Sequence, residues 1–240
     1  MHLIDLIKDE VCDIIFLTNT ANIEVYEMTE KALRSLRESE KNNKFRIILV
    51  ESNQSNDYKY DCDVYLKFNG DFNYNKALNL AFDHLENSYV AVFNNDVLFM
   101  PDWYTMIRYN MDVFNLDSAS PHCPIKQVGP NEIAQRILLN YKENTVVCGY
   151  NCIIEFAGWG WVMKRHILDQ LKPLDENLSF WFQDNDLCMN LQKLNCKHGM
   201  VIDSKVIHFG QSSYSLISPD KLHDMTNGLY QTFLNKWKNA

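Results

Sequence analysis

The sequence predicts one α/β domain built on a mixed, mainly parallel sheet, and three observations carry that reading. First, Asp13–Thr18, Glu24–Glu38 and Phe45–Val50 follow one another as a buried strand, an amphipathic helix and a second buried strand. At this spacing the two strands are a parallel pair joined by a right-handed crossover. Second, Val90–Met100 (VAVFNNDVLFM) is an apolar run that stops at Asn94, Asn95 and Asp96 and then resumes, as a central strand does when it delivers polar residues to a sheet edge. Third, 240 residues is short enough for a single domain with a sizeable core.

The first strand, DIIFLT, ends at Thr18 and Asn19, and the helix after it places Val25, Met28, Ala32, Leu33 and Leu36 on one face. FRIILV ends in Glu51 and runs into the turn-forming SNQSND, and Asp63–Lys67 is expected as an edge strand. From Tyr74 to Leu85, residues Ala77, Leu80, Ala81, His84 and Leu85 share a helical face, with Asn73 as N-cap and His84 as a core-flanking residue. The central strand follows. Its polar end lies where α/β sheets bind ligands, beyond the carboxyl ends of the strands. Asp96 there suits a hard divalent cation shared with a phosphate; the plainer alternative is that it caps the next turn. Pro101 and Asp102 open a helix through Trp103, Met106, Ile107 and Met111.

Ser118–Glu143, broken by Pro121, Pro124, Gly129 and Pro130, reads as an insertion over one face, with a helical turn or two over Ile133–Leu139. Order returns at Val146–Phe156, followed by Gly158-Trp159-Gly160-Trp161 and a short helix through Ile167 and Leu171. In Trp181–Leu194 (WFQDNDLCMNLQKL), Leu187, Leu191 and Leu194 align on a helix that starts at or just after Asp184. Asp184 is then either a first-turn carboxylate that complements the helix dipole or a general base. Met200–Phe209 reads as a late strand pair ending at His208, which gains interest only if Asp96 is near it. Ser218 and Pro219 begin a last helix with Leu222, Met225, Leu229, Phe233 and Trp237 on its apolar positions.

A formal net charge of -8 and a pI of about 5.3 argue against nucleic acid as the partner. The first ten residues mix charges with leucine and isoleucine, so neither a signal peptide nor a transmembrane segment is expected. Seven dispersed cysteines without a Cys-x-x-Cys pair point to free thiols and a cytoplasmic location.

Several segments occur in an order that resembles the family 2 glycosyltransferases: FNYNKALN at Phe72–Asn79, FNND at Phe93–Asp96, LDE at Leu174–Glu176, FQDNDLC at Phe182–Cys188, IHFGQSS at Ile207–Ser213 and F-x-x-K-W at Phe233–Trp237. The resemblance implies a GT-A fold over residues 1–240. It implies a nucleotide-sugar half over roughly 13–100, an acceptor half over roughly 101–215 and a C-terminal helix over 218–238. It also implies a manganese or magnesium cofactor, a nucleotide diphosphate sugar donor, with uridine favoured, and a hydroxyl acceptor on a glycan, lipid or protein.

By the same resemblance Asp96 engages the metal, in an Asn94-Asn95-Asp96 version of the family's Asp-x-Asp motif, and His208 completes the metal site. Thr18 and Glu51 stand at nucleoside-contact positions, Glu51 where Asp is usual; Asn79, Asn94 and Asn95 fall on the donor side. Asp184 matches the family's catalytic base, with Gln183 in place of a preceding carboxylate and Asn190 where arginine is common. Trp159, Trp161 and Asp186 are expected on the sugar or acceptor side, the tryptophans as a flat apolar wall or as core. A retaining transferase, a non-catalytic nucleotide-sugar-binding module and a nucleic-acid-modifying transferase are the alternatives.

Overall fold

The computed structural model describes residues 10–41, 45–55, 57–125, 146–152, 154–210 and 219–238. Among these residues the strands are β1 (Cys12–Thr18), β2 (Phe45–Glu51), β3 (Val64–Lys67), β4 (Tyr89–Asn94), β5 (Val97–Phe99), β6 (Ser118–His122), β7 (Val146–Cys148), β8 (Gly160–Lys164) and β9 (His198–His208). The helices are α1 (Ile23–Glu38), α2 (Tyr74–Phe82), α3 (Trp103–Val113), α4 (Arg165–Leu171), α5 (Gln183–Lys193) and α6 (Pro219–Trp237). One mixed sheet takes the order β3-β2-β1-β4-β8-β6-β9-β5, with β7 on β9. β3, β2, β1 and β4 are all parallel, and the direction reverses at β8, which pairs antiparallel with β4.

Alternation along the strands divides the core into two layers. Ile14, Phe16, Ile47 and Leu49 face α1 and α3, whereas Ile15, Leu17, Ile48 and Val50 face α2, α4 and α5. Both faces of β1 and β2 are therefore buried, which is why these strands read as continuous apolar runs. Asn22 caps α1 by accepting from the Val25 N–H at 3.0 Å, and Asn73 caps α2 by accepting from Lys76 N–H at 3.0 Å. At α3, Asp102 has φ 61 and makes no side-chain cap. The carboxylate of Glu40 accepts there instead, from the N–H groups of Tyr104 and Thr105 at 2.7 and 3.0 Å.

Four expectations need correction. Ser118–His122 is not the start of a surface insertion but β6, an interior strand between β8 and β9. It tolerates Pro121 because the β6–β9 register shifts between Pro121 and His122; Ile133–Leu139 lies outside the described residues. Met200–Phe209 is not a strand pair: residues up to His208 belong to the single strand β9, and Phe209 lies just beyond it. Val146–Phe156 contributes only the short β7. His84 lies beyond the end of α2 and is exposed. Among the described residues no helix is long and apolar enough to cross a membrane.

Candidate active site

The parallel strands β1, β2 and β4 present Thr18, Glu51 and Asn94–Asp96 at one edge of the sheet. Thr18 is buried, and its Oγ1 lies 3.0 Å from Thr20 Oγ1 and 3.1 Å from the Asn95 amide that donates to it. The same Asn95 amide donates to Thr29 Oγ1 at 2.9 Å. Glu51 is fully buried; its Oε1 accepts from the N–H groups of Thr20 and Asn53 at 3.1 and 2.7 Å. Its Oε2 is buried with no hydrogen-bond partner, an unmet acceptor of the kind that marks a ligand position. Thr20, Thr29 and Tyr60, which hydrogen-bond into this cluster, were not singled out from the sequence. Thr29 carried the one available signal, a polar residue on the apolar stripe of α1.

Asp96 lies directly between β4 and β5, so it caps no helix. The β5–β9 ladder sets Val97 opposite His208, and this register brings His208 Nε2 to 3.2 Å from Asp96 Oδ1. Two donor atoms bound side by side on one cation, with bonds of about 2.1 Å at right angles, lie roughly 3 Å apart. The pair therefore fits a manganese or magnesium ion that takes its other ligands from phosphate and water. Among the described residues no group of three or more His, Cys, Asp or Glu is placed to hold a metal by itself.

The loop before β8 joins this pair to Asp184. Trp159 stacks on His208 with ring centroids 5.2 Å apart and planes at 10°, and its carbonyl accepts from Asn94 N–H at 2.9 Å. On the neighbouring Gly158, a Cβ would stand 2.7 Å from Asp184 Oδ2. One dipeptide thus touches Asp184 on one side and the His208–Asp96 pair on the other.

Asp184 occupies the first turn of α5 and lines a cleft of about 290 Å³ with Trp181, Phe182, Asn185 and Thr226. Burial pushes its carboxyl above the usual carboxylate range, although hydrogen bonds from the Asn185 and Asp184 backbone pull the other way. Desolvation thus outweighs those backbone hydrogen bonds, and the ionised carboxylate is a stronger proton acceptor for it.

Three expected site residues point elsewhere. Trp161 is 2 % exposed and packs in the core beneath the sheet; it lies within β8, whereas Trp159 stands in the turn before that strand and stacks on His208. Asp186 is buried and accepts from Lys236 Nζ at 2.9 Å and Trp237 Nε1 at 2.8 Å, so it holds α6 rather than an acceptor. Asn190, in place of arginine, donates to Asp186. Asn79 donates to Leu174 O at 2.9 Å and accepts from Leu174 N–H at 2.8 Å. With Asn73 and Asn75, which donate to the carbonyls of Glu176 and Asp175 at 2.8 Å each, it forms an asparagine clip on the LDE loop.

A structure comparison finds the crystal structure of S. aureus TarS 1-349, with a TM-score of 0.62, 12% identity and coverage of 94% of this chain. The likeness is one of fold. This chain spans 66% of the length of that one. No curated protein matches the sequence. The fold is of the GT-A type, as the motif order implies. The family model described as "Glycosyl transferase family 2" matches residues 20–172, and the chain belongs to that family.

Proposed function

We propose that the protein is a metal-dependent, inverting glycosyltransferase that moves a sugar from a nucleotide diphosphate, a uridine one by preference, to an acceptor hydroxyl. The observation that carries the reading is the Gly158-Trp159 contact, with a carboxylate of raised proton affinity on one side and the His208–Asp96 pair on the other. Glu51 Oε2 supports the uridine preference, because an unpaired carboxylate oxygen suits the ring N–H of uracil. All seven cysteines are free, in keeping with the cytoplasmic location expected from the sequence.

In this reading Asp184 accepts the proton of the acceptor hydroxyl as the oxygen bonds to the anomeric carbon. The bond from that carbon to the phosphate oxygen breaks on the opposite side, the nucleoside diphosphate leaves, and the configuration inverts. Asp96 and His208 would hold a manganese or magnesium ion, whose chemistry is to neutralise charge on the departing diphosphate. Trp181 and Phe182 line the Asp184 cleft and limit competition from water.

The test is Asp184→Asn, which keeps shape but cannot take a proton. Transfer is expected to fall by roughly 10²- to 10⁴-fold with nucleotide-sugar affinity unchanged. A folded Asp184→Asn protein that works at the original rate would remove Asp184 as the base. A product with retained anomeric configuration by nuclear magnetic resonance would remove the inverting mechanism.

A further inference from the structure

Phe182, which stands immediately before α5, has φ 66. The left-handed region is uncommon for a bulky residue and persists only where the surroundings impose it. Those surroundings are α6. The Phe182 ring stacks on Phe233 with centroids 5.7 Å apart and planes at 22°, and meets Tyr230 at 5.4 Å. One turn further along the same helix, Lys236 bridges Asp186 of α5 and Asp175 of the LDE loop at 2.9 Å each, and Trp237 donates to Asp186. Burial works against the charge on Lys236, but its hydrogen bonds to the two carboxylates outweigh that and hold it above the ordinary lysine range. Asp184 lies between the two fastenings, two residues from Phe182 and two from Asp186.

We propose that α6 is the positioning element of this enzyme: Phe233 and Tyr230 hold the left-handed turn at Phe182, Lys236 and Trp237 hold Asp186, and together they aim Asp184 into the cleft. This inference rests on the reading of Asp184 as the base. Lys236, Trp237, Phe233 and Tyr230 do not line that cleft. They act through Phe182 and Asp186.

The experiment compares the full chain with Lys236→Met, Lys236→Arg and Phe233→Ala, using two readouts. Hydrogen exchange over residues 181–190, measured without substrate, is expected to quicken about tenfold or more in Lys236→Met and Phe233→Ala, since a charge-assisted tie or a packed ring is lost. Exchange in β1 and β4 should stay unchanged, and Lys236→Arg, which can still span both carboxylates, should restore protection.

Hydrolysis of UDP-glucose with manganese, followed as UDP release, is the second readout. Its kcat should fall roughly 10- to 100-fold in Lys236→Met, as expected for a base moved by a fraction of an ångström, with KM for UDP-glucose unchanged. Unaltered exchange at 181–190, equal loosening throughout the protein, no rescue by arginine, or faster exchange with full kcat would each overturn the proposal. Failure of the base reading shows separately, as undiminished hydrolysis by Asp184→Asn, while exchange at 181–190 still reports whether α6 holds the turn.

Discussion

Gly158→Ala tests the site without replacing a charged group. The added Cβ would meet Asp184 Oδ2 at 2.7 Å, whereas ordinary contact begins at 3.4 Å, so the carboxylate must retreat by about 0.7 Å. The obstacle is the end of a side chain, not backbone. Turning it off its rotamer costs about 0.5–1.5 kcal/mol, and replacing glycine by alanine returns about 0.4–1 kcal/mol by restricting the unfolded chain. Stability should therefore barely move.

Catalysis is less tolerant, because reacting groups must be held to about 0.5 Å and a displacement near 1 Å costs on the order of 10²-fold. The expected result is a kcat lowered roughly 10- to 100-fold, with the thermal midpoint and nucleotide-sugar affinity unchanged. Gly160→Ala provides the contrast: its Cβ would stand 2.5 Å from the buried Phe93 ring, so it should cost about 1–3 kcal/mol of stability by overpacking. The assays are transfer kinetics, thermal unfolding and nucleotide-sugar titration on both variants. A Gly158→Ala enzyme with the original kcat would show that the Asp184 position set by Gly158 is not the productive one.

Asp96→Ala should abolish the manganese-dependent rise in thermal midpoint on adding a uridine diphosphate sugar, and His208→Ala should weaken the metal titration without unfolding the protein; unchanged titrations in both would refute the metal assignment. His198, fully buried between Ser118 Oγ at 2.8 Å and Glu155 O at 3.1 Å, has its pKa lowered by burial from 6.5 to about 4. The folded state thus refuses a proton that the unfolded chain accepts. Its stabilising contribution is full above pH about 6.5 and shrinks as pH falls toward 4, by about 3 kcal/mol over that interval. Urea unfolding of His198→Gln should lose that part of the pH dependence; an unchanged slope between those pH values would refute it.

Much of the fold could be read from the chain because parallel strands buried on both faces advertise themselves. β1, β2 and β4 are apolar almost to the last residue. β6 could not be read this way: its Ser118 and Ser120 look like loop residues, yet their hydroxyls are consumed internally by His198 and by the Ala157 N–H. Asp184 and Asp186 are alike in the sequence, but two positions on a helix differ by about 200°. One therefore lines the cleft while the other meets Lys236. Trp159 and Trp161 divide for a different reason: only Trp161 lies within β8 and enters the core, while Trp159 stands in the turn before it. The partnership of Asp96 with His208 rests on the β5–β9 register, a pairing across more than a hundred residues that no local pattern encodes.

The asparagine clip has a consequence for how the molecule comes apart. Its contacts join residues separated by 95 to 103 positions, so the chain meets itself late and at a distance. Closing so long a loop costs only a little more entropy than closing one half its length, since the cost grows with the logarithm of length. Once made, the ties bind an early segment to a late one much as a reversible cross-link would. Neither segment can melt alone without stranding the other's amides and carbonyls, so denaturant should unfold both in a single transition.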